Sequence, residues 1–166
     1  MMTQRFSIRD LDRPIKLFLG TFLFMLSMGY FTGLAFVFQT EATTPHGVVE
    51  NYNGNEDQPD PQVMKFKKSS REMLTIIHTH VLSLSMIFLI TGTLLWATEL
   101  RLFWKKLLSL EPFASVLITF GGIYGLWVGQ YWLAIVVVLS GFLMTISYLL
   151  ALFFIYRDLL KSPRRS

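Results

Sequence analysis

The chain has 166 residues, of which 52% are hydrophobic and only 16% are charged, and its formal net charge is +4. Because an ordinary soluble domain carries about 25% charged residues, this composition excludes a typical water-soluble globule and indicates a single membrane domain. The absence of cysteine excludes disulfides, iron–sulfur clusters, thiolate-bound zinc, cysteine nucleophiles and covalently attached c-type haem.

Four apolar stretches are long enough to cross a membrane as helices, since about 20 residues rising ~1.5 Å each span roughly 30 Å of hydrocarbon. None of them contains an aspartate, glutamate, lysine or arginine, as the cost of burying charge in lipid requires. The sequence therefore predicts an all-α integral membrane protein, a four-transmembrane-helix bundle. The predicted spans are 17–38, 73–98, 112–128 and 132–156.

The basic residues predict the orientation of these spans, because cytoplasmic flanks of membrane helices are enriched in lysine and arginine. Eleven of the 15 basic residues lie in the segments 1–16, 99–111 and 157–166. We therefore expect both termini in the cytoplasm and the segment 39–72 on the periplasmic side of a bacterial inner membrane. The positive charge then reflects topology and contact with anionic lipid, and it does not indicate nucleic-acid binding. The eleven residues are Arg5, Arg9, Arg13, Lys16, Arg101, Lys105, Lys106, Arg157, Lys161, Arg164 and Arg165.

The first span is longer than the apolar core of about 7–15 residues found in cleaved signal peptides, and no A-x-A cleavage site follows it. We therefore expect it to be retained as a membrane helix.

The two longer connections between spans differ in character. The outer segment 39–72 exceeds the roughly 12–15 residues usual for a structureless loop, and its centre is rich in turn-forming Asn, Gly, Asp and Pro. We expect it to form irregular structure over the outer ends of the helices. The inner segment 99–111 is amphipathic, so we expect it to lie along the membrane surface, with Pro112 in the first turn of the third span.

Glycines at four-residue spacing predict the faces on which the helices pack, because lipid provides little hydrophobic drive for helix association. The third span carries Gly121, Gly125 and Gly129, and the first span carries Gly29 and Gly33. These faces either make contacts inside the bundle or dock onto another subunit, and the spacing leaves both possibilities open.

Three histidines carry the clearest chemical signal in the chain. His78 and His80 lie on the second span, roughly 8 and 10 Å below its outer border, and His46 lies in the outer segment. Positions two apart on a helix point about 200° away from each other, so the two helix histidines cannot bind one small ion together. All three are candidate cofactor-binding or metal-binding residues, because a polar group at that depth needs a partner. The alternative is simple hydrogen bonding to a neighbouring helix.

Three chemistries are open to these histidines. A b-type haem needs two axial ligands, so one helix histidine would pair with His46 or with a methionine of the first or fourth span. A quinol site would use one histidine as hydrogen-bond partner and proton acceptor, with Glu72 or Glu50 as the onward relay. A copper or zinc site would join His46, one helix histidine and a carboxylate.

The sequence favours an accessory membrane protein over a transporter, because the spans lack the charged residues that couple ions to transport. We expect a small integral subunit of a larger electron-transfer complex that helps to form a haem b or quinol site near the outer leaflet. The alternative is a purely structural assembly or anchoring subunit, whose outer segment and glycine faces bind partner proteins without a redox role. In both cases the expected partners are other membrane subunits and the lipid bilayer.

Overall fold

The structure, a computed structural model, describes residues 7–59, 61 and 63–163. Within these residues a short 3₁₀ helix (Ile8–Asp10) precedes five α-helices, four of which are long and apolar enough to cross a membrane. The prediction of an all-helical protein with four membrane spans is therefore confirmed. Three of the predicted inner charges, Arg5, Arg164 and Arg165, lie outside the described residues. The helices are α1 (Arg13–Gln39), α2 (Pro45–Asn53), α3 (Ser70–Trp96), α4 (Leu102–Trp127) and α5 (Leu133–Leu159).

Local sequence signals explain where the spanning helices begin. At the start of α3, Ser69 and Glu72 form a capping box: the Ser69 hydroxyl accepts from the Glu72 N–H (3.3 Å), and the Glu72 carboxylate accepts from the Ser69 N–H (2.7 Å). Pro14 occupies the first turn of α1, where a helix has no use for the missing N–H. Each spanning helix has 26 or 27 residues, which at ~1.5 Å per residue exceeds the hydrocarbon thickness of a bilayer.

The third spanning helix begins earlier than the sequence predicts. α4 starts at Leu102, so most of the segment 99–111 forms its first turns, and Pro112 lies inside the helix instead of at its start. Lys105 gives a physical reason for this difference. Its Nζ donates to the carbonyl of Trp96 at 2.8 Å. A residue in the first turn of α4 thereby binds one of the carbonyls that has no partner within α3, and this contact keeps the connection between the two helices short.

The outer segment contains a helix that the sequence analysis does not predict. α2 follows Thr44, whose hydroxyl accepts from the N–H of Gly47 at 3.1 Å and caps the helix. The helix ends at Gly54, whose φ of +83° is a left-handed conformation that favours glycine. α2 packs against α4 and α5, and this packing stabilises a helix in a segment that we expected to be irregular. We call this end of the bundle the α2 end and the opposite end the terminal end.

α4 and α5 form the centre of the bundle. α3 packs against α4 and to a smaller extent against α5, whereas α1 packs mainly against α5. α1 buries only Leu23, Ser27 and Tyr30, and most of its other side chains are exposed and apolar, as in a helix that faces lipid. The largest fully buried apolar side chains are Tyr148, Phe88, Ile8, Leu23, Met73, Leu95, Leu126 and Ile155.

The glycines of α4 pack against α5, but not along the whole predicted face. A Cβ atom built on Gly125 would collide with Leu133, and one built on Gly122 would lie 2.8 Å from Cγ2 of Val137. A Cβ atom on Gly121 would meet nothing within 4 Å. Gly122 and Gly125, three residues apart, therefore form the internal contact, and Gly121 faces away from it.

The remaining predicted glycines have other surroundings. Gly129 has a φ of +110° and serves the turn between α4 and α5. Gly29 and Gly33 are exposed on α1, and among the described residues no side chain and no other segment comes within 4 Å of a built Cβ. The internal contacts of one chain therefore do not use the glycine face of α1.

Candidate functional site

His80 lies on the side of α3 that packs against α4. Its ring stacks on Phe120 with 5.2 Å between the ring centroids, and its Nδ1 is 2.7 Å from the carbonyl oxygen of Ile76. Because a carbonyl oxygen can only accept, this contact places a proton on Nδ1, and in the neutral imidazole it leaves a lone pair on Nε2. The His80 side chain is exposed at the flank of the bundle. It therefore offers one hydrogen-bond acceptor, or one metal ligand, to a molecule outside the chain.

The other two histidines lie at separate places. His78 is exposed on α3 and makes no hydrogen bond within the described part of the chain. His46 lies on α2 with its side chain 76% exposed, and its Nδ1 is 3.7 Å from Oε1 of Glu50. Among residues 7–59, 61 and 63–163, no three histidine, aspartate or glutamate side chains come together in a group that could hold a metal ion. The structure therefore does not assemble the predicted combination of His46, a helix histidine and a carboxylate.

A polar cluster surrounds Glu50 at the α2 end. The Gln58 amide donates to its carboxylate at 2.6 Å, and Nζ of Lys65 lies 3.5 Å away. The hydrogen bond from Gln58 lowers the pKa of Glu50, and electrostatic interactions with His46 and Lys65 lower this pKa further. Burial raises the pKa of Tyr52, also on α2, to about 12. These contacts fix the helix in the outer segment.

The terminal end holds a buried carboxylate, that of Asp158. It accepts the backbone N–H of Glu99 at 2.6 Å and Nζ of Lys161 at 2.8 Å, and its side chain has no exposed surface. A guanidinium nitrogen of Arg157 lies 3.0 Å from the same carboxylate, and Arg9 pairs with Glu99 at 3.4 Å. This network joins the N-terminal segment, the α3–α4 connection and the end of α5. The segments predicted to share one side of the membrane therefore meet at one end of the bundle.

Glu111 is a half-buried polar residue that the sequence does not single out, because it falls in the predicted surface segment 99–111. In the structure it lies inside α4, about 14 Å along the helix from its first residue. Its Oε1 accepts a hydrogen bond from Ser115, whereas Oε2 is buried without a hydrogen-bond partner among the described residues. The sequence contains one signal for this contact: Ser115 lies four residues after Glu111 in an apolar run, a spacing that brings two side chains together on a helix.

Three hydroxyl pairs connect helices inside the bundle. Two join α1 to α5, and one joins α4 to α5. Such bonds contribute modestly in membranes, about 0.6 kcal/mol on average, but they orient the helices relative to one another. Serine and threonine are common in all four spans, so no sequence pattern singled these residues out. The pairs are Tyr30–Thr145 (3.1 Å), Ser27–Tyr148 (3.4 Å) and Thr119–Ser140 (2.7 Å).

The fold defines the class of the protein: four apolar helices of spanning length make it a multi-pass integral membrane protein embedded in a lipid bilayer. Residues 42–166 match the model of a family, Aq_1264_TM, described as a transmembrane helical domain. Because the match covers well over half of the chain, the protein belongs to this family. The matched range includes α2 to α5 and begins after the end of α1. Comparisons with curated proteins and with solved structures found no match.

Proposed function

We propose that the protein is a small integral subunit of a larger electron-transfer complex in the membrane, and that His80 binds the headgroup of a quinol from the bilayer. The observation that carries this proposal is an exposed ring on a spanning helix, whose Nε2 has no hydrogen-bond partner among residues 7–59, 61 and 63–163. A quinol hydroxyl would donate its hydrogen bond to Nε2. The Nδ1–H bond to Ile76 would keep the ring in the required tautomer and orientation.

Neighbouring groups support a planar, apolar ligand at this position. Phe120 supports one face of the imidazole, and the surrounding surface of α3 and α4 is apolar. A quinol headgroup is a flat ring with hydroxyl groups, and it reaches such a site from the hydrocarbon layer without leaving the membrane. The site therefore has a hydrogen-bond acceptor and an aromatic neighbour at the place where a lipid-soluble ring would arrive.

A quinol fits this geometry better than haem b or a metal ion does. A haem needs two axial ligands. His80 lies against α4, whereas Met25 and Met28 are exposed on α1, which packs mainly against α5. His46 pairs with Glu50 at the α2 end. One free imidazole nitrogen is sufficient for a hydrogen bond to a quinol.

The test is photolabelling of the purified protein in nanodiscs with a diazirine-bearing quinol, kept in its reduced form so that its hydroxyl groups can donate to Nε2, followed by peptide mass spectrometry. We expect adducts on α3 or α4 near His80 and Phe120. Replacing His80→Ala should lower the yield about tenfold, the cost of one good hydrogen bond. His78→Ala is the matched control, since it removes an imidazole from the same helix and should leave the yield unchanged. Equal labelling of the wild type and both variants would count against a quinol site at His80.

We also infer the orientation and surroundings of the subunit. The basic residues of the terminal end support cytoplasmic termini and an α2 end that faces the periplasm of a bacterial inner membrane. The open space around Gly29 and Gly33 on α1 leaves room for a helix of a partner subunit. Partner subunits and lipid would together cover the exposed apolar surface of the bundle.

A second candidate function is purely structural assembly or anchoring. It is supported by α2, which turns the outer segment into a folded surface on α4 and α5 that a partner protein could bind. This function predicts no adduct of the photoreactive quinol near His80. It also predicts that the His80→Ala variant assembles and works normally in its complex.

A further inference from the structure

A groove of about 260 Å³ lies beside the start of α3, at the α2 end of the bundle. It is lined by Lys68, Arg71, Glu72, Thr75 and Ile76, and we call it the α3 groove. We propose that the α3 groove binds the phosphate headgroup of an anionic phospholipid, with an acyl chain following α3 into the bilayer. This lipid site is separate from the hydrogen bond proposed for His80 and does not depend on it.

The position of the groove along α3 places it at the membrane surface. Arg71 is the second residue of α3, and the helix carries no charged residue from Met73 to its end at Trp96. At the same end, the indole N–H of Trp127 donates to the carbonyl of Lys68 at 2.8 Å. Tryptophan is enriched at the level of lipid headgroups. The groove therefore lies where phospholipid phosphates lie.

The charges of the groove favour an anion. Lys68 and Arg71 form no ion pair within 4 Å in the described part of the chain. The Glu72 carboxylate is already engaged, because it accepts the N–H and the hydroxyl of Ser69, both at 2.7 Å. It also attracts Lys68, so two cations face one carboxylate and the groove has a net positive charge. Lysine and arginine side chains bind phosphate oxygens through charge-assisted hydrogen bonds.

The backbone of Lys68 is held in place before any ligand binds. Its N–H donates to the carbonyl of Tyr52 on α2 at 3.1 Å, and its carbonyl accepts from Trp127 on α4. α2 and α4 therefore hold the backbone of Lys68 in one position. Less conformational entropy is then lost when its side chain binds a phosphate.

The apolar side of the groove selects a lipid over free phosphate. Ile76 forms one wall, and the exposed surface of α3 continues with Leu74 and Leu82 towards the hydrocarbon. A phospholipid would place its phosphate between the two cations and its acyl chain along this surface. A free phosphate ion would leave the apolar surface uncovered.

The experiment compares lipid binding to three proteins by native mass spectrometry. These are the wild type, the double variant Lys68→Gln/Arg71→Gln, and the matched control Lys67→Gln. Lys67 carries the same charge in the same segment, but its Nζ lies over the Trp127 ring, 5.5 Å from the centroid, and it does not line the groove. Each protein is released from mixed vesicles of phosphatidylglycerol and phosphatidylcholine, and circular dichroism verifies that its helix content equals that of the wild type.

We expect the wild type and Lys67→Gln to retain one phosphatidylglycerol in preference to phosphatidylcholine. The double variant should lose this preference, with about a fivefold loss of affinity for each cation removed. An equal loss in the Lys67→Gln variant would overturn the proposal, since general surface charge would then explain the binding. Equal retention of the two lipids by the wild type would also overturn it. Displacement of phosphatidylglycerol by millimolar inorganic phosphate would identify a free-anion site and contradict the lipid assignment.

Discussion

The carboxylate of Asp158 is buried where the N-terminal segment, the α3–α4 connection and the end of α5 meet. It is satisfied there by a backbone N–H and by two cations, so it contributes to stability only as long as the whole network is present. The network thereby ties the two ends of the chain to one end of the bundle.

Replacing Asp158→Asn should destabilise the protein by about 2–4 kcal/mol, because it removes the negative charge that balances Arg157 and Lys161. The midpoint of thermal unfolding in detergent, followed by circular dichroism, measures the effect. Asp57→Asn, at an exposed position in the outer segment, is the control and should leave the midpoint unchanged. A similar small shift in both variants would show that the Asp158 network contributes little.

The position of one helix boundary decides whether the Glu111 carboxylate lies at the membrane surface or inside a spanning helix. With α4 starting at Leu102 instead of Pro112, a predicted surface carboxylate becomes one inside a membrane helix, hydrogen-bonded to Ser115. Its buried Oε2 has no hydrogen-bond partner in the described part of the chain, which is unusual in a membrane bundle.

At the level of helix packing, α4 and α5 approach closely because Gly122, and not the adjacent Gly121, faces α5. Gly122→Ala should destabilise the protein by about 1–3 kcal/mol, because the new methyl group would press on Val137, whose β-branched side chain has little freedom in a helix. Gly121→Ala is the matched control and should be neutral or slightly stabilising, since its methyl group meets open space. Thermal unfolding of the two variants tests the pair, and the reverse order of stability would show that the packing face is assigned incorrectly.

The polar contacts of α2 predict a pH dependence of the outer segment. The folded-state pKa of Glu50 lies below its unfolded value, chiefly because of the hydrogen bond from Gln58. The carboxylate therefore stabilises the fold fully above its usual pKa of 4.5, and this stabilisation is lost as the pH falls through the lowered value.

We expect the wild type to unfold at a higher temperature than Glu50→Gln at pH 7, and the difference to shrink as the pH is lowered below about 4.5. Thermal unfolding at a series of pH values measures it. Glu56→Gln serves as the control, because Glu56 is exposed in the same segment and should show no such convergence. A difference between wild type and Glu50→Gln that stays constant down to pH 3 would contradict the role assigned to the carboxylate.

At the scale of the whole molecule, the terminal end and the α2 end must face opposite sides of the membrane, since four spanning helices connect them. The natural absence of cysteine makes this easy to test. In intact bacterial cells, Glu56→Cys at the α2 end should react with a membrane-impermeant maleimide. Ser162→Cys at the terminal end should react only after the cells are permeabilised. The opposite pattern would reverse the orientation inferred from the basic residues.

The number of spans and the class of the protein follow from the amino-acid sequence alone, because hydrocarbon excludes charged groups and requires about 20 apolar residues per helix. The sequence also indicated the histidines, but not their surroundings. The folded structure was needed to show that His80 stacks on Phe120, that Gly122 faces α5 while Gly121 does not, and that Glu111 lies within the bundle. The two kinds of result differ for a physical reason. The composition and length of a span depend on the free energy of transferring its side chains from water to lipid. The partners of an individual side chain depend instead on helix rotation, which here is set by packing between segments distant in sequence.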